Sequence, residues 1–241
     1  GKRLVGAPFV AQIVAVGSYS YVLGAFMNPM LEELSWARSD FSLTRSISQI
    51  VMAFVGILIG AKVDQIGARP IMLVGTTILV VSLCAHTFVT SLWMWWALNG
   101  IVVTIGCAMV GNLVVNATLS KWFFEKRGRA VAIAAMGVSF GGIAITPPIT
   151  YLIDLLGWRL SWVLLGLSAG ILLYPVAMMM RKAPEDFGLL PDGKKPNSEG
   201  SGSIDAAQSE FLNSYSRSEA IRTFSFYGLV LAFGCFAVNI V

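Results

Sequence analysis

The sequence predicts an all-α membrane protein with six full transmembrane helices and part of a seventh. Of the 241 residues, 56% are hydrophobic and only 12% are charged, whereas a soluble domain carries roughly a quarter charged residues. The apolar residues form runs of about 20, the length an α-helix needs to cross ~30 Å of hydrocarbon, and short charged turns separate these runs. A soluble core would use shorter, amphipathic segments. The predicted spans are 5–28, 41–61, 70–90, 93–118, 130–153, 160–180 and 224–241.

A short charged turn occurs twice in the chain and indicates how the spans are arranged. Asp64, Gly67 and Arg69 form the pattern D-x-x-G-x-R between the second and third spans, and the pattern returns ninety residues later between Asp154 and Arg159. Three spans separate the copies, so the two turns lie on opposite sides of the membrane. Two similar units of opposite orientation are a transporter device, and we predict a 3+3 inverted repeat. The alternative is that Asp, Gly and Arg simply favour short loops.

The distribution of basic residues predicts a cytoplasmic N-terminus. In that orientation, fourteen of the 17 Lys and Arg residues lie on the cytoplasmic side, and only Arg38, Arg45 and Arg159 lie outside. Segments rich in Lys and Arg remain in the cytoplasm during insertion. We therefore expect a multi-pass protein of the plasma or inner cell membrane. The net charge of +4 does not indicate a nucleic-acid partner, because the basic residues lie in loops between spans.

Polar side chains within the spans mark a candidate substrate pathway. Tyr19 and Tyr21 belong to two polar faces of the first span, which either line a pathway or satisfy their own hydrogen bonds locally. Arg45 lies about one turn inside the second span, where it either snorkels to the surface or forms an anion-attracting charge at the outer mouth. Asn112 and Asn116 share one face of the fourth span and need partners, either another helix or a substrate.

The residues do not predict an enzyme, a cofactor or a metal site. Cys84, Cys107 and Cys235 lie in apolar spans without metal-ligand spacing, and His86 is the one histidine. The stretch 137–141 has the letters of a nucleophile elbow, G-x-S-x-G, but it lies inside a membrane helix and no histidine follows it. Its two glycines predict close helix packing instead.

Glycine and proline also predict the shape of individual spans. Gly56 and Gly60 form a small-xxx-small pair, which would let another helix approach the second span closely. Pro147 and Pro148 are expected to break the fifth span near its outer half. The first outer loop is expected to cover residues 32–40.

The chain is expected to contain one complete bundle and the beginning of a second. The predicted parts are a six-helix bundle over 1–180, a polar cytoplasmic linker over 181–222 and the truncated start of a second bundle over 223–241. The linker is rich in Gly and Ser, and a capping box at 216–219 would begin a short helix. Because the sequence begins without Met and ends inside an apolar run, we expect a fragment of a longer chain.

Several stretches together resemble the major facilitator superfamily. Residues 60–69, G-x-x-x-D-x-x-G-x-R, resemble its signature loop between helices two and three, although Lys62 stands where an apolar residue is usual and Gln65 where a base is usual. Within the superfamily, the chain is similar to the branch of monocarboxylate porters and oxalate/formate antiporters. The stretches that carry this similarity are SWAR at 35–38, WFFEKRG at 122–128, GWR at 157–159 and APEDFGLLPDG at 183–193.

The resemblance implies a twelve-helix carrier in which two six-helix bundles rock around a midplane site. Its implied substrates are small organic anions such as lactate, pyruvate, formate or oxalate, moved by proton symport or by anion exchange. The implied partners are this substrate, a proton or counter-anion, the lipid bilayer and a C-terminal half that is missing from the sequence. The cation that holds the carboxylate usually lies in that half. The alternative is a half-size membrane module that dimerises, or binds ligand without transporting by itself.

The resemblance also distributes roles among the residues of this half. It assigns to a cytoplasmic gate the residues Asp64, Gly67, Arg69, Lys126 and Arg127. The residues expected near the substrate pathway are Tyr19, Tyr21, Arg45, Asn112 and Asn116.

Overall fold

The computed structural model of the protein describes residues 2–123 and 127–180, together with residues 219, 222–228 and 231. These residues form helices and short turns, without a β-strand among them. Six helical segments are long and apolar enough to cross a membrane, which confirms the predicted all-α bundle of six spans. The predicted seventh span and the linker fall largely outside the described residues. Spans 1 to 6 are Gly6–Leu34, Arg38–Gly60, Ala68–Phe88, Leu92–Ser120, Arg127–Leu156 and Trp158–Met179.

Four spans are built around one α-helix each. Spans 2, 5 and 6 are the single helices Arg38–Ile66, Arg127–Leu156 and Trp158–Met179. Span 3 is the helix Ala68–Ala85, extended by the 3-10 turn His86–Phe88.

Spans 1 and 4 are composite helices. Both contain a π-helical stretch, whose hydrogen bonds enclose one residue more than those of an α-helix. Span 1 consists of Lys2–Val16, the π-helical turn Gly17–Tyr21 and Val22–Leu34. Span 4 consists of Leu92–Trp95, the π-helical stretch Trp96–Val103, Thr104–Val110 and Asn112–Trp122.

The two copies of the repeated turn have the same backbone geometry. Gly67 has φ 93° and ψ 166°, and Gly157 has φ 80° and ψ 163°. Each glycine N–H closes the preceding helix, at 3.1 Å from the Val63 carbonyl and 2.9 Å from the Ile153 carbonyl. This backbone region is accessible essentially to glycine alone. The sequence repeat is therefore also a repeat of structure at the ends of spans 2 and 5.

Glycines bring spans 1 and 5 into close contact, as the sequence predicted. A Cβ added to Gly137 would lie 2.5 Å from the Phe9 carbonyl oxygen, and one added to Gly141 would lie 2.7 Å from the Ile13 carbonyl oxygen. Such distances mean that no side chain fits between the two backbones. Van der Waals packing across small residues is a main source of helix association in membranes.

An aromatic cluster packs between spans 1, 3, 4 and 6. The Trp162 ring stacks on Phe26 at 3.9 Å and on His86 at 4.5 Å, and His86 meets the edge of Trp95 at 5.4 Å. His86 is fully buried, and its Nδ1 lies 2.7 Å from the carbonyl oxygen of Ser82. The cluster lies at the end of the bundle where span 1 ends and span 6 begins. We name this end the Glu33 end. The opposite end, with the turn between spans 2 and 3, is called the Gly67 end.

Two predictions about span shape, on the prolines of span 5 and on the first outer loop, are wrong. Pro147 and Pro148 do not break span 5, whose helix continues through them, because Ile149 and Ile153 beyond them are buried in the bundle and hold it in place. The loop predicted over 32–40 shrinks to three residues between Leu34 and Arg38. Within the described residues, no neighbour lies near Gly60, so the pair with Gly56 does not form a close helix contact there.

Candidate functional site

Arg45 is a half-buried cation inside span 2. The helix begins at Arg38, so Arg45 lies two turns inside it, about 10 Å along the axis, rather than the one turn expected. Its Nη1 donates a hydrogen bond to Ser20 Oγ at 2.8 Å, and its guanidinium carbon lies 5.5 Å from the centre of the Tyr19 ring. In the part of the chain that the structure describes, no carboxylate pairs with it. The guanidinium is therefore only partly compensated.

The two predicted tyrosines both lie in the π-helical turn of span 1 but differ in burial. Tyr19 is only 9% exposed, and among the described residues its hydroxyl has no hydrogen-bond partner. Tyr21 is 41% exposed and packs along Gly142 of span 5, where an added Cβ would lie 3.2 Å from the ring. Tyr19 therefore faces the inside of the bundle and Tyr21 its surface.

Span 4 is interrupted at Gly111. The backbone there is extended, with φ −82° and ψ −154°, and a new helix of 11 residues begins at Asn112. The hydrogen bond from the Gly111 N–H to the Cys107 carbonyl, at 2.7 Å, is the last one before the break. The next is from the Val115 N–H to the Gly111 carbonyl at 3.1 Å. The sequence reading missed this break, since a single glycine in an apolar run carries no clear signal.

A hydrogen bond between amides joins spans 1 and 4. Gln12 Nε2 donates to Asn112 Oδ1, and Gln12 is fully buried. The other oxygen of the pair, Gln12 Oε1, has no partner among the described residues. Asn112 is thus engaged by a neighbouring helix, one of the two alternatives left open by the sequence. Asn116 is exposed one turn further along span 4.

A cavity of about 250 Å³ lies between spans 1, 2 and 4. It brings together Tyr19 and Asn112 from the predicted pathway residues, whereas Tyr21, Arg45 and Asn116 do not line it. Its wall is otherwise apolar and includes the backbone of the interruption in span 4. The lining residues are Ala15, Val16, Tyr19, Met52, Gly56, Cys107, Ala108, Gly111, Asn112 and Leu113.

The predicted gate residues that the structure describes lie at the Gly67 end of the bundle. Gly67 closes span 2, and Arg69 is exposed in the first turn of span 3. Asp64 lies in the last turn of the helix of span 2, but its side chain is outside the described part of the chain. Lys126 is also outside it, whereas Arg127 is exposed at the start of span 5. Their gating role stays a prediction.

At the Glu33 end, a polar contact that the sequence did not reveal joins span 1 to span 6. Trp158 Nε1 donates a hydrogen bond to Glu33 Oε2 at 2.5 Å, and the Arg159 guanidinium pairs with the same carboxylate. The guanidinium also lies 4.2 Å above the Trp158 ring. The second copy of the repeated turn is thereby attached to the end of span 1. Glu33 and Arg159 are 126 residues apart, and no local pattern could have paired them.

Metal ligation was tested as an explanation for these polar residues. Among the described residues, no group of three or more His, Cys, Asp and Glu side chains could hold a metal ion. Six apolar spans, a repeated turn and a cavity with polar groups inside the bundle define a multi-pass membrane protein.

The chain belongs to the Major Facilitator Superfamily, whose sequence model matches residues 9–241. It is similar to Monocarboxylate transporter 11 of Mus musculus, with 27% identity over 178 residues, or 70% of this chain and 40% of the relative. Identity to Monocarboxylate transporter 7 of Homo sapiens is 25% over 180 residues, or 71% of this chain and 34% of the relative.

A bacterial relative matches to a similar extent. The uncharacterized MFS-type transporter YcxA of Bacillus subtilis is 24% identical over 171 residues, or 71% of this chain and 42% of the relative. These findings confirm the family expected from the sequence, and relatives named as monocarboxylate transporters agree with the expected branch. The chain spans less than half the length of these relatives.

Proposed function

We propose that this protein is part of a secondary active transporter of small organic anions that works by alternating access. The observation that carries the proposal is Arg45, a half-buried guanidinium inside a membrane span whose contacts are a hydroxyl and an aromatic ring. A cation at this depth is costly and is a functional residue by default. A positive charge that is only partly compensated attracts an anion toward this part of the bundle.

The relatives support the substrate class. Several carry the name monocarboxylate transporter, and we propose that lactate, pyruvate, formate or oxalate is moved here, by proton symport or in exchange for another anion. The remaining partner would be a second bundle supplied by a longer chain. That bundle would begin with the helix near 223, and the linker 181–222 would join it to the first bundle. We further propose a cell-membrane location with the N-terminus in the cytoplasm, because the basic residues favour that orientation.

The Gly67 end is then the cytoplasmic end. We assign to its gate the residues Asp64, Gly67, Arg69, Lys126 and Arg127. Exposed basic groups on neighbouring turns can pair with acidic groups of a second bundle in one state and release them in the other, which is how such an end opens and closes.

The test is uptake of lactate by cells or vesicles that contain the protein in its natural full length. Arg45→Gln removes the charge but keeps a polar side chain, and we expect the apparent KM for lactate to rise about tenfold, because a nearby unit charge contributes ~1–2 kcal/mol at an effective dielectric constant of about 20. Arg45→Lys should recover part of this loss. Arg38→Gln is the matched control, because Arg38 is an exposed arginine at the start of the same helix.

The measurement separates the proposal from its alternatives. Uptake should be saturable and should respond to an imposed proton gradient or to anions loaded inside the vesicle. Of the two glutamine variants, only Arg45→Gln should show reduced uptake. Equal KM values in Arg45→Gln and Arg38→Gln would contradict the role of Arg45. A wild-type protein that carries none of the four anions would contradict the proposed function itself.

A further inference from the structure

The interruption of span 4 depends on the lack of a side chain at Gly111. A Cβ built on this residue would lie 2.7 Å from the carbonyl oxygen of Cys107, a backbone atom that cannot move aside cheaply. With any other residue, a continuous helix from Thr104 to Trp122 would relieve the clash and form more backbone hydrogen bonds. The glycine therefore allows an interruption in a segment whose apolar sequence would otherwise form a continuous helix.

The break leaves a helix N-terminus inside the membrane-spanning segment. The N–H groups of Asn112, Leu113 and Val114 precede the first hydrogen bond of the new helix and have no acceptor within it. Gly111 has no side chain that could cap them. Water cannot satisfy such groups in hydrocarbon, so an N-terminus at this depth is tolerated where it lines a cavity. The helix dipole adds partial positive charge at this point, which favours an anion.

A second and independent observation concerns Tyr19. This side chain comes from a different span, lines the same cavity as Gly111 and Asn112, and is nine-tenths buried with no partner for its hydroxyl among the described residues. A buried hydroxyl without a partner is costly, and a ligand oxygen would remove that cost. The guanidinium of Arg45 over the ring of Tyr19 adds positive potential to the same side of the cavity.

We propose that the end of the half-helix Asn112–Trp122 and the hydroxyl of Tyr19 form a carboxylate-binding subsite in this bundle. The backbone N–H groups after Gly111 donate to one carboxylate oxygen, and Tyr19 donates to the other. Met52, Gly56 and Leu113 give the uncharged part of the anion an apolar wall. The inference rests on the proposed transport function and adds to it a site for the anionic group that uses backbone atoms of this bundle.

The test compares two substitutions that remove the two halves of this subsite. Gly111→Ala introduces the clashing Cβ and favours the continuous helix, in which the free N–H groups are consumed. Tyr19→Phe removes one hydroxyl and leaves the ring in place. Gly6→Ala and Tyr151→Phe are the matched controls, because an added Cβ at Gly6 meets no atom within 4 Å and the Tyr151 side chain is 67% exposed on span 5.

The readout is equilibrium binding of radiolabelled lactate to the purified full-length protein, together with its thermal unfolding. Each of the two test variants should raise the dissociation constant about tenfold or more, the effect of losing a hydrogen bond to a charged group. The controls should bind within about twofold of wild type. The unfolding temperature of Gly111→Ala should equal or slightly exceed that of wild type, because a continuous helix gains backbone hydrogen bonds.

The outcomes distinguish this subsite from the broader function. Lactate that binds wild type and is displaced by formate, but not by the uncharged lactamide, would support a carboxylate site. Unchanged affinity in both Gly111→Ala and Tyr19→Phe would overturn the subsite while leaving transport intact. If Gly111→Ala failed to fold, Tyr19→Phe alone would decide. Absence of lactate uptake by wild type would instead count against the proposed function.

Discussion

The repeated glycines offer a pair of substitutions with a similar backbone cost and an unequal functional effect. Gly67 and Gly157 hold nearly the same backbone angles, in a region that residues with a Cβ adopt only at a cost of ~1–3 kcal/mol. At Gly157 an added Cβ would meet no atom within 4 Å, so the cost there is conformational alone. We expect Gly67→Ala and Gly157→Ala each to lower the free energy of unfolding by about this amount.

Function should separate the two variants. Gly67 is in the turn that we assign to the cytoplasmic gate, whereas Gly157 is in the turn fastened to Glu33. Gly67→Ala should therefore reduce the maximal rate of lactate uptake several-fold more than Gly157→Ala, when both are compared at equal amounts of folded protein.

The assay pairs thermal unfolding in detergent with initial rates of uptake in proteoliposomes. Gly6→Ala is the control for the added methyl group, since Gly6 lies in a regular helix and its substitution should be neutral or slightly stabilising. A Gly157→Ala protein as stable as wild type would refute the reasoning from backbone angles. Equal loss of uptake in both variants would refute the special role of Gly67.

Two further predictions concern contacts between spans. Gly137→Ala places a methyl group 2.5 Å from the Phe9 carbonyl oxygen, and overpacking of this kind should destabilise the bundle by about 1–3 kcal/mol, measured by thermal unfolding. Asn112→Ala leaves the buried amide of Gln12 without its partner and should cost about 1–3 kcal/mol. Asn116, which is exposed on the same face, has no such bond among the described residues, and Asn116→Ala should cost little. Unchanged uptake kinetics in Asn112→Ala, with stability reduced, would assign this side chain to packing rather than to substrate contact.

The spans could be predicted because their signal is a sum over about 20 residues, so individual exceptions do not remove it. The close packing at Gly137 and Gly141 was also foreseeable, since small residues one turn apart create a groove on one face of a helix. The repeated turn was visible because its geometry demands glycine, and the demand appears in the sequence at both positions.

Helix ends were harder to predict because contacts between distant residues decide them. Span 1 was expected to end at 28 but continues to Leu34. The carboxylate of Glu33 is held there by Trp158 and Arg159 from the other half of the bundle. A charged residue looks like part of a loop until its partners are known. Pro147 and Pro148 were misread for a related reason, since tertiary packing on both sides of them keeps the helix continuous.

The candidate site was visible only in part. Tyr19, Arg45 and Asn112 stood out as polar residues in apolar runs, but the sequence could not show that Tyr19 lies between the guanidinium and the cavity. The break at Gly111 could not be predicted either, because it depends on the distance between a missing Cβ and the backbone of Cys107.

The π-helical turn Gly17–Tyr21 has a consequence for comparing this chain with its relatives. A π-helical turn is equivalent to one inserted residue, and it rotates the rest of span 1 by roughly 100° relative to an uninterrupted α-helix. Phe26 and Met30, which follow the turn, are fully buried in the core. A relative that lacks the turn would need a one-residue gap at this point in any alignment. Without that gap, every residue after Tyr21 in the span would be equated with one on the wrong face of the helix.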